Sequence, residues 1–211
     1  MFQWLRKGQI NFICLQPVSK SAELNYIRVV NFKAMLKNKI KILAVSGSLR
    51  ANSSNAIILQ AIEKLAPEQV DFFIYNGLAT LPHFDDAEQV PITVSVWRKY
   101  LQDADAVLIC TPEYAFGVPG SLKNALDWTV GSGELVNKPL ALITASTGGE
   151  KAHAAFLQIF TALSANIPEG GSLLIPFVRA KLNAAGEISD APTLEAVKSV
   201  LRTLIQSAQQ S

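Results

Sequence analysis

The sequence predicts a doubly wound α/β fold, a parallel sheet with helices packed on both faces. Three observations carry this. The predicted strands 40–45, 105–110 and 140–145 carry apolar runs with little alternation, 42–45 in the first, as strands buried on both faces require. Segments of helical periodicity alternate with such runs along the chain. At 211 residues and 49% hydrophobic, the chain can bury one full core, so a single domain is expected.

Residues 1–39 stand apart from this pattern. They hold seven basic residues against the one acid Glu23, which leaves 12 basic and 16 acidic residues in the remainder, a net charge of −4. Phe2, Trp4, Ile10, Phe12, Ile13 and Leu15 keep no sustained period before Pro17. A secretory signal needs a longer apolar centre and a small-residue cleavage site, and a transit segment needs more Ser and Arg. The expectation is an N-terminal extension over 1–38, disordered or a non-native start ahead of Met35, and a folded domain over 39–211.

The first strand, 40–45, runs through the polar turn 46–55 into a helix over 56–66, with Ile58, Ala61, Ile62 and Leu65 on one stripe and Pro67 beyond. Residues 70–75 are β-branched and aromatic, which suits a strand. Gly77 and Pro82 punctuate a polar loop over 76–88, and Val94, Trp97, Tyr100 and Leu101 then recur at helical spacing. After strand 105–110 comes the loop 111–120, and then a helix over 119–130 with proline in its first turn, where proline is tolerated. Strand 140–145, loop 146–149, helix 150–165, a short strand 172–176 and an amphipathic helix 193–209 complete the chain. Five strands in this pattern imply the flavodoxin-like order 2-1-3-4-5, with a ligand outside the carboxyl ends of strands 1, 3 and 4. That rule sends three loops to one site: 46–55, 111–120 and 146–149.

The first of these loops reads as an anion site. Ser46, Gly47, Ser48, Ser53, Ser54 and Asn55 bracket Arg50 just where a helix presents its unpaired N–H groups and the positive end of its dipole. Hydroxyls, an amide and a guanidinium all donate to phosphate oxygens. Capping accounts for one hydroxyl only. Neither G-x-G-x-x-G nor a Walker loop is present, so a dinucleotide turn and an ATP site lack support. In the second loop, Pro112 and Pro119 stiffen the backbone and Gly117 and Gly120 let it bend. Tyr114 and Phe116 offer flat faces that suit a planar heterocycle, a cover for the sheet end or a contact with another subunit.

Other chemistry is thin. Cys14 and Cys110 form no C-x-x-C, and two histidines do not make a zinc site. Cys110 has no basic neighbour in sequence and reads as a packed thiol. His83 reads as a loop residue, with the substrate mouth as the alternative, and His153 as a surface or interface residue on its helix. The acidic body gives no footprint for nucleic acid, no apolar run approaches membrane length, and sparse cysteine is compatible with a reducing cytoplasm.

Two motifs together carry a resemblance. Gly47-Ser-Leu-Arg50 with Ser53 and Asn55, followed by Thr111-Pro-Glu-Tyr114, Gly117, Pro119-Gly120, Leu122-Lys-Asn-Ala125 and Asp127-Trp128, is similar to the NADPH-dependent FMN reductase family of quinone, chromate and azo-dye reductases. The resemblance runs from Lys39 to the C-terminus. It implies an FMN-binding domain over 39–211, bound without a covalent link, with NADPH or NADH as electron donor and a quinone-like small molecule as acceptor. It also implies a homodimer or homotetramer, with no catalytic side chain because the flavin carries the chemistry, and no metal. By the same resemblance Ser48, Arg50, Ser53 and Asn55 hold the FMN phosphate. Pro112, Glu113, Tyr114 and Ala115 border the flavin ring, as do Ser146, Thr147, Gly148 and Gly149. Ala115 departs from the family, which commonly has Asn there. Asn124, Asp127 and Trp128 are expected to serve helix packing and capping. Two other classes compete, an electron carrier of the flavodoxin type and a non-catalytic redox sensor. A carrier of that type is strongly acidic, unlike this body at −4.

Overall fold

In a computed structural model of the chain, residues 39–86 and 88–211 are described; the expectations for 1–38 and for Met35 lie outside them. Residues Lys39–Ser211 form one compact unit. Its centre is a five-stranded sheet in the order β2-β1-β3-β4-β5, every pairing parallel. The strands are β1 (Ile40–Ser46), β2 (Val70–Tyr75), β3 (Ala106–Thr111), β4 (Leu140–Ala145) and β5 (Ser172–Ile175).

Both faces of the sheet are covered, which explains the unbroken apolar runs. In β1, Ile42 and Ala44 point to one core and Leu43 and Val45 to the other. The first core receives Ile58, Leu59 and Ile62 from helix α1 (Ser54–Leu65), and Val197, Val200, Leu201 and Leu204 from the C-terminal helix α5 (Ala191–Gln210). The second receives Val94, Trp97 and Leu101 of α2 (Ile92–Asp103), Leu122 and Ala125 of α3 (Gly120–Asp127), and Phe156 and Phe160 of α4 (Glu150–Ala162). Full burial of each Val, Leu, Ile or Phe among them stabilises the fold by about 1.5–3 kcal/mol. The buried Trp97 also satisfies its one polar atom, since Nε1–H donates to Ala125 O at 2.9 Å.

Element ends differ from the sequence reading by a few residues, each for a local reason. The last helix begins at Ala191, because Asp190 caps it by accepting from Thr193 N–H at 3.0 Å and Pro192 fits the first turn. The helix after Pro119 stops at Asp127, followed by turn bonds such as Val130 N–H to Asp127 O. Lys138 Nζ reaches back to Leu101 O at 2.8 Å and Ala104 O at 2.6 Å, so a cation satisfies the carbonyl end of α2. Burial lowers the pKa of that ammonium, and nearby Asp105, Asp103 and Glu134 oppose the shift.

Candidate functional site

Neighbouring strands deliver the three expected loops to one edge of the sheet. Strand β1 sits between β2 and β3, with Ser46 opposite Cys110, while Thr111 lies opposite Thr144 of β4. The first two loops then approach so closely that only glycine fits at 47. Gly47 N–H donates to Cys110 O at 2.8 Å, and a Cβ here would stand 2.7 Å from Thr111 Cβ and closer still to its hydroxyl.

The turn between β1 and α1 is tied by its own hydroxyls. Ser46 Oγ donates to Ser48 O at 3.1 Å, and Ser48 N–H donates to Ser46 Oγ at 3.2 Å. Ser53 caps α1, accepting from Ala56 N–H at 3.1 Å. The N–H groups of Ser54 and Asn55 lie in the first helical turn, where no intrahelical acceptor exists, and they add the positive end of the helix dipole. Ser48 and Ser53 are buried, whereas Arg50 is exposed.

Asn55 is buried at the base of the turn, where it lines the same pocket and is also tied to the strands beneath. Its Nδ2–H donates to Ala145 O at 3.2 Å, and its Oδ1 accepts from Cys110 Sγ at 3.3 Å. The physical reason is that position 55 faces inward as α1 packs on the sheet, so the amide joins the ends of β3 and β4 beneath the turn. Cys110 is fully buried, and burial pushes its thiol pKa upward.

The second loop is locked to both others. Tyr114 Oη lies 3.3 Å from Ser48 Oγ, Glu113 N–H donates to Ser146 Oγ at 3.3 Å, and Glu113 Oε2 accepts from Ala152 N–H at 2.9 Å. The Glu113 carboxylate therefore caps α4 from another loop, supplying what Gly149, the residue at the cap position, cannot. Gly149 itself holds φ +120°, which favours glycine. Tyr114 and Gly117 exchange backbone bonds of 3.0 and 2.9 Å around Ala115 and Phe116, whose φ values are +49° and +58°. This is a two-residue turn of type I′.

A pocket of about 140 Å³ gathers Ser48, Arg50, Ser53 and Asn55 with Pro112, Glu113, Tyr114, Ser146 and Thr147. Ala115 lies at the tip of the second loop, and Gly148 and Gly149 lead into α4, outside this pocket's lining. Three further residues line it that the sequence reading missed, Ala145 at the end of β4, and Val178 and Arg179 from a turn after β5.

Around the site the expected packing residues clamp another loop. Asn124 Nδ2 and Trp128 Nε1 both donate to Pro82 O at 2.9 Å, and Phe84 N–H donates to Asn124 Oδ1 at 2.8 Å. His153, expected at a surface or an interface, is half-buried; its Nδ1 lies 2.9 Å from Thr144 Oγ1, and burial lowers its pKa. Among the described residues no cluster of His, Cys, Asp or Glu could hold a metal, and no helix is long and apolar enough to cross a membrane.

The sequence model described as NADPH-dependent FMN reductase matches residues 40–180. The chain belongs to this family. It is 31% identical to a quinone reductase of Escherichia coli K12 over 170 residues, 76% of this chain and 90% of that protein. It is 33% identical to an NADPH:quinone oxidoreductase of Arabidopsis thaliana over 183 residues, 80% of this chain and 92% of that one. Among solved structures, a flavoenzyme NAD(P)H:(acceptor) oxidoreductase from Paracoccus denitrificans superposes with a TM-score of 0.66 at 24% identity, covering 81% of this chain and 97% of that one. This confirms the flavodoxin-like fold. Family membership makes this member an NAD(P)H-dependent oxidoreductase with FMN as cofactor.

Proposed function

We propose that the three loops at the carboxyl edge of the sheet hold FMN, with its phosphate in the 46–55 turn, and that the enzyme reduces quinone-class acceptors. The observation that carries the reading is the donor character of the phosphate end. Ser48, Ser53, Arg50 and the first N–H groups of α1 surround the pocket. The one carboxylate that lines it, Glu113, is already bound to the N-terminus of α4. A phosphate finds donors at that end, while the Glu113 carboxylate is held toward α4.

When bound, FMN supplies the relay, taking hydride from NAD(P)H and giving two electrons to a quinone, which leaves as the hydroquinone after protonation. The protein positions and excludes water. Pro112 to Ala115 and Ser146 to Gly149 frame the space for the ring with a rigid backbone, fixed by the Glu113–Ser146 and Glu113–Ala152 bonds. With the cofactor supplying the hydride chemistry, these loops would need to position and shield it, and no acid or base side chain would be required of them.

We also infer that the protein works as a homo-oligomer in the cytoplasm, where reduced nicotinamides are held. Loops at the site edge expose Leu49, Phe116 and Phe177. Apolar residues displayed together at one end of a fold suit contact with a second copy.

The test is spectroscopic. The purified protein should bind FMN, bleach on anaerobic addition of NADPH and recolour with a quinone. Arg50→Ala should weaken FMN binding by tenfold or more, the worth of a charge-assisted hydrogen bond. A protein that takes up no FMN, or an Arg50→Ala variant of undiminished FMN affinity, would overturn the assignment.

A further inference from the structure

We propose that Arg179 is a second guanidinium ligand of the cofactor phosphate, closing a two-arginine clamp with Arg50 across the first loop and the turn after β5. The proposal rests on the FMN reading above. Strand β5 lies outside the switch-point trio, so its outgoing turn has no part in the site by topology alone. Local structure brings it in. Phe177, at φ +51° and ψ +38°, turns the chain left-handed immediately after β5. A bulky residue rarely adopts this conformation unless its surroundings impose it.

Here they do. Phe177 N–H donates to Thr147 O at 3.0 Å and Val178 N–H to Ser146 O at 3.1 Å, so the turn is stitched to the loop after β4. Val178 is buried as an anchor. The next residue is Arg179, which lines the pocket shared by Ser48, Arg50 and Ser53. Arg179 also lines an adjoining groove of about 470 Å³ with Arg50, Asn52 and Ser54, and no carboxylate lines that groove.

Electrostatics supplies the second argument. Among the described residues, the ion pairs involve Arg98, Lys99, Lys123 and Lys198, so neither Arg50 nor Arg179 has a carboxylate partner. Two unpaired cations sharing one pocket repel until an anion arrives between them. A phosphate monoester carries about −1.5 to −2 charges at neutral pH. One arginine and a helix terminus of roughly half a charge supply about +1.5, short of the −2 of a fully ionised phosphate, and a second arginine makes up the difference.

The experiment measures FMN and riboflavin dissociation constants for the wild type, Arg50→Ala, Arg179→Ala, Arg179→Lys and Lys181→Ala, by flavin fluorescence. Lys181 removes the same charge from the same turn without lining either cavity. The expected result is about tenfold or greater weakening of FMN by Arg179→Ala, partial recovery in Arg179→Lys, and little change in Lys181→Ala, with riboflavin unaffected throughout. Arg179 is exposed, so these variants should keep the wild-type melting temperature without flavin. If Arg179→Ala binds FMN within twofold of wild type while Arg50→Ala does not, Arg179 serves the outer groove and the clamp is refuted. Equal losses of FMN and riboflavin would show a structural effect and refute it too. A wild type that binds no FMN fails the underlying reading instead, before any variant is compared.

Discussion

Ala115 and Phe116 occupy the two central positions of a type I′ turn, both at positive φ and neither a glycine. A left-handed conformation costs an ordinary residue about 1–2 kcal/mol, and Asn tolerates it better than Ala. The asparagine expected at 115 therefore has a backbone reason as well as any contact it makes. Ala115→Asn should raise stability by about 0.5–1 kcal/mol, a melting shift of about 1–4 °C, visible in a thermal melt. His153 gives a second test at this scale. Burial depresses its pKa in the fold, so the unfolded chain takes up the proton first as pH falls. Its contribution is complete above the unfolded value near 6.5 and is lost as pH drops from there through the folded value. Denaturant titrations from pH 7.5 to 5 should show stability falling in the wild type and a flatter profile in His153→Asn. An unchanged slope would remove His153 from the account.

Among the elements, α4 depends on a residue that belongs to another loop. Its cap position is Gly149, which has no side chain to offer, and Glu113 accepts the Ala152 N–H instead. Glu113→Ala should cost about 1 kcal/mol, with a melting point lower by about 2–4 °C, while Glu113→Gln keeps an acceptor and should lose less. Faster amide exchange at Ala152 in the alanine variant would locate the loss. Elements were legible in the sequence where one physical requirement dominated. Strands β1, β3 and β4 are buried on both faces, so their composition declared them, and their order placed three loops together. Asn55 was legible in part, because its donor chemistry pointed to the pocket it lines, while its bonds to Ala145 and Cys110 depend on how α1 seats on β3 and β4. Arg179 was not legible at all. The topological rule names loops after β1, β3 and β4, and nothing in Pro176-Phe177-Val178 announces a left-handed turn.

For the whole molecule, three apolar side chains stand out at the site end of the sheet: Leu49 at 57% exposure, Phe116 at 82% and Phe177 at 67%. They come from loops following β1, β3 and β5, so the fold itself collects them at one end. If this edge meets a second copy, light scattering should report a dimer or larger for the wild type, and Phe116→Ser should shift the population toward monomer. A monomeric wild type at micromolar concentration would sink the oligomer inference.

The turn at 115–116 is also closed by its own two backbone bonds, while the ties of its loop to the neighbouring ones begin at Tyr114 and Glu113. That makes the tip a replaceable cassette. Any pair of residues that accepts left-handed backbone, such as Asn-Gly, can be installed there without disturbing the cradle beneath. A combinatorial library confined to these two positions would vary the rim of the site while leaving the phosphate end, lined by Ser48, Arg50 and Ser53, as it is.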